Sequence, residues 1–258
     1  MQEPFKGKTT LVTGAAGGIG TKICEKFAAL GSFVYLCDIQ NSIELAEAIN
    51  AHYTETRAAP IACDIANGDD VAAMYRRIAD ERCGVDILIN NAAVYGPLEM
   101  HNFPGISYDD FLKTIKIDLS GAAYCTMMAL PYMQRQRWGK ILFSAAPLSS
   151  SGIPCPYLAG KAGFIGLTKY IARNYGNYGI RTFALVLRHV GTPMIQRVIT
   201  SRGHEVEEGL AKMHAKSLTG RMITPEEIAD IYAYFSSGTS SEINGVTLLS
   251  DGGITYLQ

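Results

Sequence analysis

Tyr157 and Lys161 stand four residues apart in Tyr157-Leu158-Ala159-Gly160-Lys161, and on a helix that spacing stacks a phenol and an ammonium on one face. A free tyrosine ionises near pKa ~10, so it is a poor base at neutral pH unless a fixed positive charge stabilises its phenolate. Lys161 can supply that charge, which makes the pair a candidate device for moving a proton. The same spacing also serves an ordinary surface contact in which the lysine stem lies along the ring. A second, independent signal about 140 residues upstream weighs toward chemistry.

That signal is Thr13-Gly14-Ala15-Ala16-Gly17-Gly18-Ile19-Gly20, which follows the apolar run Thr10-Leu11-Val12 and precedes a helical pattern with Ile23, Phe27 and Leu30 on one side. Strand, glycine turn and helix occur in the order that lets a backbone approach a pyrophosphate and offer it the free N–H groups of a helix N-terminus. The next strand, Phe33-Val34-Tyr35-Leu36-Cys37, ends at Asp38, eighteen residues after Gly20, where a carboxylate can hold an adenosine ribose. The alternative for Asp38 is a loop or capping aspartate. A carboxylate accepts a 2′-hydroxyl and repels a 2′-phosphate, and the glycine turn contains no Arg or Lys to offset that repulsion. The expected cofactor is therefore NAD rather than NADP.

The elements that must position these groups can be read from the pattern. Short β-rich runs near 9–13, 33–37, 59–63, 86–89, 140–144, 181–187 and 246–250 alternate with helical stretches at about 18–30, 41–53, 68–83, 109–136, 156–176, 193–218 and 225–236. Such alternation predicts an α/β fold, a doubly wound parallel seven-stranded sheet covered by helices on both faces. No repeat, low-complexity tract or linker divides residues 1–258, so one domain is expected. The polar stretch of about 193–220, interrupted at Gly203 and Gly209, follows the sixth strand, where an insertion can close over a substrate.

Composition narrows the classes of function. The chain has 258 residues, 48% apolar and 18% charged, with a formal net charge of −1, which suits a soluble domain and gives nucleic acid little to hold. No stretch reaches the ~18 apolar residues that span a bilayer, and the first residues lack the apolar core of a signal peptide, so a cytoplasmic protein is expected. Cys24, Cys37, Cys63, Cys83, Cys125 and Cys155 are scattered without a Cys-x-x-Cys pair, which favours free thiols over disulfides or metal ligands. No metal is assigned.

With the glycine turn, Asp38, Asn90-Asn91-Ala92-Ala93 and the Tyr157/Lys161 pair in order, the chain resembles the short-chain dehydrogenase/reductase family over nearly its full length. Asp251-Gly252-Gly253 matches the usual C-terminal signature. The resemblance implies a Rossmann-type fold and cofactor contacts at Gly14, Gly18, Ile19, Gly20, Asp38, Asp64, Ile65, Asn91, Tyr157, Lys161, Val190 and Thr192, with Thr192 on the nicotinamide carboxamide and Asn90 bracing the end of the fourth strand. Ser144, Ser149, Ser150 and Ser151 all read as loop polarity in isolation. The spacing of thirteen residues to Tyr157 selects Ser144 as the family's catalytic serine.

Two positions depart from the family. Asp118, in Lys116-Ile117-Asp118-Leu119, stands where the family usually has an asparagine that supports a proton-relaying water; aspartate keeps the size, loses the amide donor and adds charge. Leu187-Arg188 replaces Pro-Gly after the sixth strand, followed by His189. A guanidinium there can grip an anionic substrate in bidentate fashion, contact a cofactor phosphate, or point into solvent. Arg197, Arg202 and His204 are further candidates of the same kind.

The expected reaction is reversible hydride transfer between nicotinamide and a secondary alcohol or its ketone, the alcohol being small and polar, a sugar or polyol, or anion-bearing. Tyr157 acts as general acid/base, Lys161 lowers its pKa, and Ser144 steadies the substrate oxygen. The substrate pocket is expected to draw on Ser144, Val94, Tyr95, Cys155, Pro156, Arg188, His189 and part of 193–218. The competing readings are a family member that binds NAD without catalysis and one that uses the cofactor for epimerisation or dehydration. By analogy the chain forms a homotetramer, or else a dimer, through segments 119–124 and 162–167.

Overall fold

The β-branched and apolar runs form seven strands, each within one residue of its expected bounds: β1 (Thr9–Thr13), β2 (Phe33–Asp38), β3 (Ala58–Ala62), β4 (Ile87–Asn90), β5 (Gly139–Ala145), β6 (Ile180–Leu187) and β7 (Val246–Ser250). The computed structural model describes residues 3–95, 103–148 and 153–254. The strands make one parallel sheet in the order β3-β2-β1-β4-β5-β6-β7. From β1 the chain winds outward first through β2 and β3, then returns to β4 on the other side. The reversal leaves a crevice beyond the carboxyl ends of β1 and β4, which is where ligands bind in such sheets.

Helices cover both faces. One core joins Tyr75, Ile78, Cys125, Met133 and Phe164 to Phe143 and Ile141 of β5, and the other joins Ile23, Phe27, Tyr232 and Phe235 to Leu142 of the same strand. Every residue of β5 is buried. Successive side chains of a strand point to opposite faces, so in β5 they alternate between the two cores. No described helix is long and apolar enough to cross a membrane.

Two of the expected helices are interrupted. The stretch expected as one helix over 109–136 consists of α4 (Tyr108–Ile115), a wide π turn (Lys116–Gly121) and α5 (Ala122–Gln136), following α1 (Gly18–Ala29), α2 (Ile43–Asn50) and α3 (Gly68–Arg82). A π turn admits one extra residue without breaking the hydrogen-bonded run and re-aims a side chain. Here that side chain is Asp118. After α6 (Cys155–Tyr175), the stretch 193–218 divides into α7 (Pro193–Ser201) and α8 (Val206–Lys216). Gly203 takes φ +74, a left-handed value, just past the end of α7, whereas Gly209 lies inside α8, where a side chain would collide with Ile199 of α7. The final helix, α9 (Pro225–Ser236), begins with the reciprocal capping box of Thr224 and Glu227.

Helix α6 lies tightly on the π turn. A Cβ on Gly160 would sit 2.9 Å from Asp118 Cβ, and one on Gly163 would sit 2.6 Å from Leu119 Cδ1. Gly160 and Gly163 thus make room for this contact within the chain, and the approach brings Lys161 into the electrostatic reach of Asp118.

Candidate active site

A cleft of about 610 Å³ runs along the carboxyl edge of the sheet. At one end it is lined by Gly14, Gly18, Ile19, Asp38, Asp64 and Ile65, and at the other by Tyr95, Tyr157, Arg188 and His189, with Asn91, Ser144, Lys161, Val190 and Thr192 between them. Most of the residues singled out from the sequence thus share one cavity. Gly20, Asp118 and Cys155 are not among its walls. A side chain on Gly20 would strike the Gly14 carbonyl oxygen, so Gly20 packs α1 against the turn rather than contacting a ligand. Cys155 opens α6, away from the cavity wall.

The turn is shaped by hydrogen bonds from neighbouring strands. Gly14 has φ +67, and a Cβ there would lie 2.7 Å from Ala92 Cα. Asp38 accepts the Ala16 N–H at one carboxylate oxygen and the Gln40 N–H at the other, both at 2.9 Å, which fixes it at the cleft rim. Asn91 Nδ2 donates to the carbonyls of Thr13 and Gly14 at 3.2 and 3.1 Å. Asn90, buried at the end of β4, donates to Thr126 of α5 at 3.2 Å and so braces the sheet as expected.

Ser144 lines the cleft with its hydroxyl already engaged. Its hydroxyl donates to Asn91 Oδ1 at 3.2 Å and lies 2.7 Å from the Tyr232 hydroxyl of α9. With its single proton committed to Asn91, Ser144 accepts from Tyr232. Residues 142 and 144 share one face of β5, the face packed on α9, whereas Tyr157 comes from α6 on the other. The hydroxyl expected to steady a substrate oxygen therefore belongs to a chain of bonds under the glycine turn. Beyond β5, Ala145, Ala146 and Pro147 line the cleft. Ser149, Ser150 and Ser151 lie outside the described residues.

Tyr157 and Lys161 do project together from α6. The ammonium stands 5.6 Å from the Tyr157 ring centroid and 4.7 Å from that of Phe164, and Tyr95 packs on Tyr157 with centroids 5.2 Å apart. Lys161 Nζ is buried without a hydrogen-bond partner. Burial pushes its pKa down to about 8, against the opposing pull of Asp118. Asp118 is itself fully buried: Oδ1 accepts the Val94 N–H at 2.7 Å and Oδ2 has no partner. Burial raises its carboxyl to about 6, opposed by Lys161 and by the Val94 bond. The Tyr157 hydroxyl is pushed up, first by burial and then by the negative charge of Asp118 and by Tyr95. The lowering by Lys161 that the sequence predicts is absent from this balance. With its hydroxyl pushed up, Tyr157 is held neutral at physiological pH in this state of the cleft.

An orphaned buried ammonium, a fixed carboxylate at the far rim and a glycine turn between them form a donor set that fits a dinucleotide. Lys161 and Asp38 suit its two riboses, and the α1 N-terminus suits its pyrophosphate. Helices α7 and α8 cover the other end through Met194, Val198, Arg202 and Met213. Of the two arginines noted from the sequence in this stretch, Arg197 and Arg202 line the cavity, whereas His204 is exposed and does not. Sequence reading missed Tyr232, whose only signal was its place on the apolar face of α9, and Met213, which carried none.

The family model described as Enoyl-(Acyl carrier protein) reductase matches residues 14–255. Among curated proteins, the chain is 33% identical to the 2,5-dichloro-2,5-cyclohexadiene-1,4-diol dehydrogenase of Sphingobium indicum, over 98% of this chain and 99% of that protein. It is 30% identical to the D-beta-hydroxybutyrate dehydrogenase of Cupriavidus necator, over 96% and 98%. Among solved structures, levodione reductase shares the fold with a TM-score of 0.92 at 23% identity, covering 98% of this chain and all (100%) of that one.

Two outcomes follow from the geometry. Ser144→Ala removes a donor from Asn91 and an acceptor from buried Tyr232, so it should cost about 1–3 kcal/mol in urea unfolding while turnover falls less than about tenfold; a hydroxyl that stabilised the reacting oxygen would cost ~10²–10³ in turnover instead. The second concerns pH. Lys161 has a folded pKa of about 8, below its ordinary value of 10.5, so the folded state carries the full burial penalty below pH 8 and sheds it as pH rises toward 10.5. In protein free of dinucleotide, Lys161→Met should therefore be more stable at pH 7 by on the order of 1–3 kcal/mol, limited by the loss of Asp118's partner charge. Unfolding followed across pH should show this gain shrinking through the alkaline range; a gain that grows with pH would contradict the assignment.

Proposed function

The chain belongs to the short-chain dehydrogenase/reductase family of oxidoreductases, and from that premise we propose that it interconverts a secondary alcohol and its ketone by NAD-dependent hydride transfer, with Tyr157 as the general acid/base. The carrying observation is the convergence of Tyr157, the buried and unpartnered Lys161 ammonium, the glycine turn and Asp38 on one cleft. When bound, NAD supplies the hydride acceptor and, in its oxidised form, the positive charge that the Tyr157 phenolate lacks.

The chain's own residues divide the remaining work. Tyr157 takes the hydroxyl proton as the carbonyl forms and returns it in the reverse direction. Lys161, with its unpartnered ammonium, would hold a ribose hydroxyl of the bound dinucleotide, and Thr192, at the N-terminus of α7, would hold the carboxamide. Asp118 is a positioning residue: it orders the Val94 backbone and opposes the fall in the Lys161 pKa. Helices α7 and α8 act as the cover that excludes water. Asp38, held at the rim by the Ala16 and Gln40 N–H groups, would accept a hydroxyl of the adenosine ribose, and its charge opposes a 2′-phosphate, which favours NAD over NADP.

Cytoplasmic residence completes the reading, supported by six free cysteines, of which Cys24, Cys37, Cys63 and Cys125 are buried. So does a homotetramer, supported by exposed Tyr108, Leu112, Met127 and Tyr170 on α4, α5 and α6. The partner is a small alcohol or ketone, with no role for nucleic acid or membrane. A second reading, a member that binds NAD without turnover, is favoured by one observation: the Ser144 hydroxyl is engaged by Tyr232 rather than directed at Tyr157.

A panel of alcohols assayed for NADH formation separates the two readings. Tyr157→Phe should bind NAD within about threefold of the parent while turnover falls at least ~10³-fold; substantial residual turnover would falsify the acid/base role. For the cofactor, Asp38→Ala should weaken NAD binding by about tenfold or more and narrow the NAD/NADP preference, measured as the ratio of kcat/KM values. An unchanged ratio removes Asp38 from the cofactor choice.

A further inference from the structure

The cleft is electrostatically lopsided. Its only acidic wall residues, among the described residues, are Asp38 and Asp64 at the adenosine end. The opposite end holds Arg188, Arg197, Arg202 and His189 beside Tyr157, with no carboxylate among the described walls. Arg202 is engaged by Tyr95. Arg188 is different: its Nε and Nη1 are buried and have no hydrogen-bond partner. Its backbone N–H is tied to the Ser250 carbonyl of β7 at 3.4 Å, which fixes where the side chain departs from the end of β6. The two orphaned donors lie on different edges of the guanidinium, each shared with Nη2; a buried N–H without an acceptor is costly, and a carboxylate on the Nε/Nη2 or the Nη1/Nη2 edge offsets that cost for one of them.

His189 adds to this arrangement. It adopts φ 49, a strained left-handed conformation for a non-glycine residue, and its Nδ1 is buried without a partner. Burial and the charges of Arg188, Lys216 and Arg202 push its pKa down to about 4. His189 is therefore neutral at physiological pH and presents a ring nitrogen to the pocket without adding charge. The cofactor's phosphates are the competing partner for Arg188, because the loop after β6 folds back onto the glycine turn: a Cβ on Gly18 would lie 3.1 Å from Thr192. Arg188 itself stands at the end of β6 among Tyr157 and His189, and the NAD affinity of an Arg188 variant separates the two partners.

We propose that Arg188 is a carboxylate clamp and that the alcohol turned over at Tyr157 is a small hydroxy acid, oxidised to the corresponding oxo acid. The inference rests on the reading of Tyr157 as general base. The carbinol C–H bond breaks and its electron pair leaves as hydride to oxidised NAD, the O–H proton passes to Tyr157, and a C=O bond forms. The carboxylate is unchanged throughout and serves to orient the carbinol. Arg188 thereby selects among alcohols by charge, at a position where loss of its side chain removes binding rather than chemistry.

The test compares short hydroxy acids, with the hydroxyl at successive carbons, against their methyl esters as substrates with NAD. The parent should prefer at least one acid over its ester by ~10²-fold or more in kcat/KM. Arg188→Leu should raise KM for that acid by ~10²-fold, change the ester little and leave the NAD dissociation constant within about threefold; Arg188→Lys should recover part of the loss. Esters oxidised as well as acids, or a loss confined to NAD affinity in Arg188→Leu, overturns the clamp. If neither acids nor esters turn over, the reading of Tyr157 fails by itself and calorimetry on NAD-loaded protein decides the clamp: propanoate or butanoate binding that Arg188→Leu abolishes sustains it, and no binding in the parent ends it.

Discussion

An ammonium buried without a hydrogen-bond partner is the constraint around which this molecule is arranged. Lys161 can remain charged near neutral pH only because Asp118 lies within electrostatic reach, and Asp118 is tolerated only because the Val94 amide holds one of its oxygens. Both charges are costly to bury, and each moderates the cost of the other. The approach of α6 to the π turn, close enough that Gly160 and Gly163 admit no side chain, makes the pairing possible. A helix of ordinary pitch through 116–121 would carry the Asp118 side chain around the axis, away from this position.

The sheet turns that local arrangement into a site with a direction. Its order reverses at β1, so the glycine turn and Asp38 stand on one side of the crevice and the ends of β5 and β6 on the other. Acidic groups collect at the first end and basic groups at the second. The buried, unpartnered nitrogens of Lys161, Arg188 and His189 all belong to the second half of the chain. This fits a general pattern in which a scaffold's well-satisfied core supports a small set of polar atoms kept for a ligand.

The strands and the glycine turn were legible because their signals are local: β-rich runs of the right length, with punctuation between them, leave little freedom in a parallel sheet. Tyr157, Lys161 and Asp38 were legible for the same reason. The direction of Ser144 was not. Strand β5 is buried on both faces, so no alternation of polar and apolar residues tells which core a given side chain enters, and spacing along the chain carries no information about facing. The π turn was hidden because a single accommodated residue leaves composition and periodicity nearly unchanged. Arg188 stood out as a departure from the family pattern, but its lack of a partner is a property of the folded neighbourhood. The balance at Tyr157 was hidden for a related reason: the burial that brings the pair together also pushes the phenol up, and the charge of Asp118 adds to that rise.

The bonds from Tyr232 to Ser144, from Ser144 to Asn91, and from Asn91 to the carbonyls of Thr13 and Gly14 form an unbroken path from the last helix to the first turn. Evolution cannot alter one link freely. A hydroxyl lost at position 232 leaves an unsatisfied acceptor at 144, and the slack is felt where the backbone bends around the nucleotide. Positions 91, 144 and 232 are thus expected to drift as a correlated trio among descendants of this sequence, a covariance signature linking residues separated by more than half the chain.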